Sequence, residues 1–329
     1  MSPLSDHRGP SRREFLAFGA GAFVIAALPL ARRRSRVVRR TLPVMGTVAE
    51  LAVVHRDEQY AHAAMDDAMA ELRWVERTMT RFTTTSEIGR ANAGAAAAPV
   101  RVGAETAFVV AEALRWADAT DGAFDPAILE TVQLWDVTHR HEPPAAGALR
   151  QLVSRRLHRQ VEVGVQQGAP VLVFHDPDVR LDLGAIAKGY GVDRAVLALR
   201  RWGITQALVD VGGDLYALGT APTGEPWRVG IQDPDDANGI LATIDVADEA
   251  IATSGTYRQF FRYRGRRYHH LIDPVTAAPR ATPVQSLTIR ADSCMHADAA
   301  ATALFGMPAE RALHALARVA PGARIERIA

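Results

Sequence analysis

QALVDVGGDLYALG, from Gln206 to Gly219, is an apolar strand pattern that runs into paired glycines. A dinucleotide-binding βαβ unit would require a third glycine and a following helix at this point. Both are missing, so a Rossmann reading fails here, and the P-loop pattern is absent from the chain. The sequence beyond continues in strands, with WRVGIQD, LATIDVA, AIATSG, RRYHHLID and SLTIRAD in succession. Strands that adjoin one another predict an antiparallel or mixed sheet with flanking helices. The fold class is therefore α+β rather than a doubly wound sheet.

Upstream, VAELAVVH (Val48 to His55) reads as a strand, and the segment from Asp57 has apolar residues at helical spacing until near Arg81. A second amphipathic helix spans Ala104 to Ala119 and closes at an Asp121-Gly122 turn. The Ala/Gly stretch Ala91 to Ala98 and THRHEPPAAG read as loops. PVLVFHD and VRLDLG are predicted to pair as a hairpin through Asp176-Pro177-Asp178. Helices are expected from about Gly189 to Arg201, from Ala297 to Phe305 and from Pro308 to Arg318. No boundary signal divides residues 41–329, which are taken as one domain.

The 329 residues are 48% hydrophobic, ample for a folded core, with a formal charge of +1. Much of the positive excess lies in RRRSRVVRR (Arg32 to Arg40), and the remainder is mildly acidic, so no nucleic-acid partner is expected. The first 40 residues form a separate unit. SRREFL (Ser11 to Leu16) precedes a Gly/Ala-rich apolar run of about 17 residues, short for a membrane span, which resembles a twin-arginine export signal. The expected location is periplasmic or on the outer face of the cytoplasmic membrane. The weak cleavage site near Ala31 leaves both removal and tethering open. Cys294, the single cysteine, reads as a small buried residue.

Asp298 and Thr302 stand four apart on an expected helix, which sets a carboxylate and a hydroxyl on one face, one turn apart. Two hard oxygen donors suit magnesium completed by water and phosphate, although a helix cap and a filler would explain the same pair. The wider pattern decides between them. VMGT (Val44 to Thr47), RFTTTSEIGRAN (Arg81 to Asn92), GAFDPAI (Gly122 to Ile128) leading to Leu134-Trp135, LDLGAIAKGYGVD (Leu181 to Asp193), ALVDVGGDLYALG, AIATSGTYRQFF, HLIDPVTAAP and HADAAATALF occur in this order. Together they resemble the ApbE family, the FAD:protein FMN transferases, over everything from Thr41 to about Met307.

The resemblance implies a T-fold-related α+β domain that splits the pyrophosphate of FAD with Mg2+. FMN is joined by a phosphodiester to a threonine or serine of an acceptor flavoprotein, and AMP leaves. It implies FAD contacts at Met45, Phe82, Ala123, Phe124, Asp125, Asp182, Lys188 and Ile272. Magnesium would lie between the Ala185 carbonyl, Asp298 and Thr302, with His270 as general base and Asp298 part of the catalytic apparatus. In LDLGAIAKGYGVD the glycines are expected to let backbone approach the nucleotide. Ser254, Gly255 and Thr256 match the turn after a buried strand. Two positions depart from the family: Phe82 stands where a tyrosine is common, and Ala277 where glycine is usual, so a positive φ there would strain the alanine. An FAD pyrophosphatase and a non-enzymatic FAD binder remain as alternatives. The sequence identifies no acceptor and fixes no oligomeric state.

Overall fold

The computed structural model of the chain describes residues 23–25 and 36–329. The twin-arginine motif and the cleavage region lie outside the described residues. Phe23–Ile25 is a short strand paired antiparallel with Trp227–Gln232.

The core is a seven-stranded sheet. Its strands are β1 (Arg36–Val44), β2 (Thr47–His55), β3 (Ala207–Val211), β4 (Asp214–Leu218), β5 (Glu249–Gly255), β6 (Ser286–Ala291) and β7 (Arg324–Ile328). Each pairs antiparallel with its neighbours in this order, so the sheet is a meander interrupted by long excursions. Of the antiparallel or mixed sheet expected from sequence, the antiparallel form is the one present. β1 starts at Arg36, ahead of the Thr41 boundary read from the sequence, and its register with β2 runs from Arg36↔His55 to Val44↔Thr47. The Met45-Gly46 tip has φ values of 55° and 70°, the left-handed pair that a two-residue hairpin turn requires.

The two sheet faces separate with period two. Leu51, Val53, Val209, Val211, Ala250, Ala252, Leu287 and Ile289 face the helices. Ala52, Val54, Leu208, Leu215, Ala217 and Ile251 instead pack on Trp227, Val229 and Ile231 of a small sheet. Because both faces are covered, β3 and β4 are buried at every position, and their alternation is hidden from sequence.

The helical layer holds α1 (Glu58–Met79), α2 (Ala104–Ala119), α3 (Ala187–Arg201), α4 (Cys294–Ala303) and α5 (Ala309–Val319). Asp57 caps α1 by accepting from the Tyr60 amide at 3.0 Å. Among the described residues no helix is long and apolar enough to cross a membrane.

Two local expectations differ from the structure. Residues 169–174 pair with Val161–Gln166, not with VRLDLG. Gln167 and Gly168, with φ of 52° and 75°, form the turn, while Asp176-Pro177-Asp178 is closed locally by the Asp178 amide donating to Asp176 Oδ1. Leu181 instead bonds to the side chain of Asn92, which donates to its carbonyl and accepts from its amide at 2.9 and 2.7 Å. The Ala91–Ala98 stretch begins inside a helix, Glu87–Gly94, capped by Ser86.

Candidate active site

The opening turns of α3, the middle of α4 and the β3–β4 turn converge on one buried polar cluster. Lys188 Nζ lies 2.5 Å from Asp214 Oδ2 and 3.0 Å from Asp298 Oδ1. The other Asp298 oxygen accepts from the Gly189 amide at 3.1 Å. Asp210, Asp214 and Asp298 are all buried, and Asp210 Oδ1 accepts from the Gly213 amide at 2.7 Å. Burial alone would lower the Lys188 pKa, but the carboxylates of Asp214 and Asp298 outweigh it and hold the ammonium charged. Burial pushes Asp210 up to about 7, and Asp214 rises through burial and the neighbouring Asp298 charge. The pocket carries more acid than its lysine neutralises.

Arg258 adds a second cation. Its Nη1 donates to the Gly212 carbonyl at 2.7 Å, whereas Nε and Nη2 are buried without a partner among the described residues. Such groups are costly unless an anion or water satisfies them. Asp210, Asp214 and Arg258 were not among the residues expected from sequence, although all lie in the motif stretches quoted above. Acids flanking a glycine pair inside an apolar strand pattern were the signal for the first two.

Two glycines of LDLGAIAKGYGVD, Gly189 and Gly191, make room for protein neighbours. A Cβ at Gly189 would lie 2.2 Å from the Cys294 carbonyl oxygen, and one at Gly191 would meet Leu72 and Met45 at 3.2–3.3 Å. They admit α4 and α1. Asp193 secures the same crossing by accepting from Ser293 Oγ and the amides of Cys294 and Met295 at 2.7–2.9 Å, a carboxylate on the α4 N-terminus. Gly189→Ala is therefore expected to destabilise the chain by on the order of 3 kcal/mol, because the contact is backbone that cannot yield. A urea midpoint unchanged from wild type would contradict this.

Thr302, one turn from Asp298, shares a hydrogen bond with Ser254 at 3.2 Å. Ala185 is half-buried in the turn that leads into α3. Met45 donates its amide to Glu76 at 2.6 Å and packs on the core beside Gly191.

His270 follows the strand Arg266–His269. Its amide donates to the Gln259 carbonyl at 3.1 Å, and Nδ1 lies 3.4 Å from that same oxygen. Nδ1–H facing a carbonyl fixes the tautomer in which Nε2 is the proton acceptor. Burial lowers the pKa to about 4 for His270 and also for His269, whose Nε2 meets the Arg280 carbonyl at 3.2 Å. The unfolded imidazoles take protons near pH 6.5 and the folded ones only near 4, so stability is complete above 6.5 and falls as pH drops through that window. A loss on the order of 2 kcal/mol per histidine is expected at pH 5, discounted where water reaches the ring. Urea titrations at pH 7 and pH 5 would show it, and equal midpoints would refute it.

A second region, a cavity of about 270 Å³, is lined by Arg81, Phe82, Asn92, Leu129, Gln133 and Arg180 among others. Phe82 is 80% exposed at its rim, with the Arg81 guanidinium 4.3 Å from the ring centroid. Asp182 is paired with Arg81, Nε to Oδ2 at 3.0 Å. Four other residues expected at the cofactor are occupied within the protein. Asp125 is buried and meets the Ala127 amide and His158 Nδ1 at 2.8 and 2.9 Å. The carbonyl of Ala123 accepts from Arg280, and Phe124 is buried with its amide on Thr120 Oγ1. Ile272 lies in a satellite core with Trp135 and Phe261. Ala277 is buried with φ of 52°, and its carbonyl accepts from Trp135 Nε1 at 2.8 Å. The strain expected there is present, on the order of 1 kcal/mol.

The ApbE family profile matches residues 45–325. A FAD:protein FMN transferase of Treponema pallidum is 37% identical over 305 residues, covering 88% of this chain and 84% of that one. The solved flavin transferase ApbE of Vibrio cholerae aligns with a TM-score of 0.74 at 31% identity, over 86% of this chain and 90% of its own. The ApbE protein of Thermotoga maritima gives a TM-score of 0.77 at 26% identity, over 89% and 97%. Sequence and fold agree, and the chain belongs to the ApbE family.

Proposed function

We propose that the chain is a magnesium-dependent FAD:protein FMN transferase that acts on a threonine or serine of an acceptor flavoprotein. The observation that carries this is the pairing of unsatisfied Arg258 N–H groups with the Lys188 cluster, beside an imidazole whose Nε2 is free. A pyrophosphate answers those cations, and a hydroxyl answers the imidazole.

Magnesium fits the donors present. Asp298, Thr302 and the Ala185 carbonyl offer hard oxygens, and the buried acids outnumber the lysine among them. Among the described residues no group of three His, Cys, Asp or Glu side chains stands ready to hold a metal, so phosphate oxygens would complete the ligand set. When bound, the ion neutralises charge on the pyrophosphate. The protein groups do the rest. Lys188 and Arg258 hold the phosphates, and Phe82 offers a ring face to the flavin. The acceptor oxygen forms a bond to the FMN phosphorus as the bridging P–O bond breaks. His270 Nε2 takes the hydroxyl proton, and AMP carries away the bridging oxygen.

Export by the twin-arginine route, with action outside the cytoplasmic membrane, completes the proposal. It rests on SRREFL and the apolar run behind it. Arg12→Lys with Arg13→Lys should leave the protein in the cytoplasm of an expressing bacterium. The central test incubates the full chain with FAD, magnesium and a flavin-carrier domain, following carrier mass and free nucleotides. A carrier gaining one FMN with matching AMP, and no reaction in EDTA, is expected. Free FMN and AMP beside an unmodified carrier would turn the reading to pyrophosphatase.

A further inference from the structure

We propose that the hairpin Phe260–His269 is the docking element for the acceptor protein, and that the acceptor surface around its target hydroxyl is acidic. The inference rests on the transferase reading above. The hairpin joins strands Phe260–Tyr263 and Arg266–His269 through Arg264-Gly265, whose φ values are 48° and 79°. Phe261 and Tyr268 lie opposite one another and stack with Trp135, with ring centroids 5.2–6.5 Å apart, which anchors one face to the body of the protein.

The charge on this hairpin runs against its own stability. Arg262 lies directly opposite Arg267 in the register, and like charges so placed repel. No described carboxylate comes within ion-pair distance of Arg262, Arg264, Arg266 or Arg267. Some surface arginines elsewhere are paired, as in Arg155 with Asp176 and Asp178 and Arg156 with Asp121, and others such as Arg39, Arg73 and Arg318 are not among the described residues; what sets the hairpin apart is four unpaired arginines on ten residues. Here the guanidiniums lie over rings instead. Arg262 and Arg267 sit 5.8 and 4.7 Å from the Phe260 centroid, Arg264 is 5.2 Å from that of Tyr263, and Arg266 is 5.1 Å from that of Tyr268. Stacking holds each charge in place while the N–H edges of Arg262, Arg264 and Arg266 stay open to a carboxylate. Beside the tip, Arg140, His141, Glu142 and Tyr263 line a cleft of about 390 Å³ that an acceptor loop can enter.

Position selects the partner. The base of the hairpin is a wall of the active site, since the Gln259 carbonyl holds His270 and Arg267 Nη1 reaches Thr256 Oγ1 at 3.5 Å. A protein held by these arginines has its hydroxyl beside His270 Nε2 at every turnover. An anionic membrane on the same arginines would crowd the approach to that atom and bring no hydroxyl.

The test uses the full chain and Arg262→Glu/Arg264→Glu/Arg266→Glu, with a carrier domain bearing aspartates and glutamates around its target threonine. Initial rates are measured with carrier and FAD varied separately, at ~50 and ~300 mM salt. The reversed charges should raise the KM for carrier by about tenfold or more and remove most of its salt dependence, leaving the KM for FAD unchanged. The corresponding Gln triple should move the same way by less. If the Glu triple misfolds, wild-type enzyme with the carrier acids changed to Asn and Gln should reproduce the rise. An unchanged carrier KM overturns the proposal. So does a variant that loses only binding to phosphatidylglycerol vesicles, which would make the hairpin a membrane contact. A wild-type enzyme that transfers no FMN to the carrier sinks the transferase reading, and the docking proposal with it.

Discussion

Asp298→Ala is expected to lower FMN transfer by about 10³-fold, the largest effect of any single substitution in this chain. Its two oxygens serve different elements, Oδ1 on Lys188 and Oδ2 on the Gly189 amide. Removing them leaves the lysine to Asp214 alone and takes away the carboxylate proposed to hold magnesium. Asp298→Asn separates the two contributions: it keeps the shape and one acceptor but loses the charge. Both variants should lose most activity at saturating FAD and magnesium, while only the alanine variant loses appreciable thermal stability. Transfer within tenfold of wild type in either would remove the carboxylate from the reaction.

His270→Ala should slow transfer by about 10²- to 10³-fold while leaving the Kd for FAD unchanged. The ring is tied to the protein through its Nδ1 side, at the Gln259 carbonyl. With a pKa of about 4 the imidazole is already unprotonated at neutrality. The wild-type rate should therefore stay level from about pH 6 to 8 and fall below about 5, as protonation removes the Nε2 lone pair. An inflection near 6.5 would place the ring in water and contradict the burial seen here.

Much of the architecture was legible because the strands of the second half are bounded by turn residues and sit close together. QALVDVG, AIATSG and SLTIRAD are β3, β5 and β6. The hairpin assigned to Asp176-Pro177-Asp178 failed because Gln167-Gly168 is the better turn, and glutamine at positive φ carries no sequence signature. Likewise, a side-chain amide in place of a strand partner for Leu181 has no periodicity to read.

For the site, helical spacing joined only Asp298 with Thr302; motif order added Lys188, which contacts Asp298 across 110 positions, and His270. It did not separate residues that face the pocket from those that support it. Asp125 and Ile272 lie in matching motifs yet are spent on His158 and on the Trp135 cluster. The glycines of α3 read as space for a nucleotide, and Gly189 makes space for α4, because a missing Cβ says only that something comes close.

The contact of Lys188 with Asp298 bridges 110 positions, and β7 closes the sheet after both. A nascent chain emerging from the ribosome at about 5–20 residues per second carries Lys188 for several seconds before Asp298 is delivered. During that interval α3 has no α4 to pack against. The Lys188–Asp298 cluster is thus a product of late folding, and an inhibitor or chaperone that captured α3 would prevent it from ever being assembled.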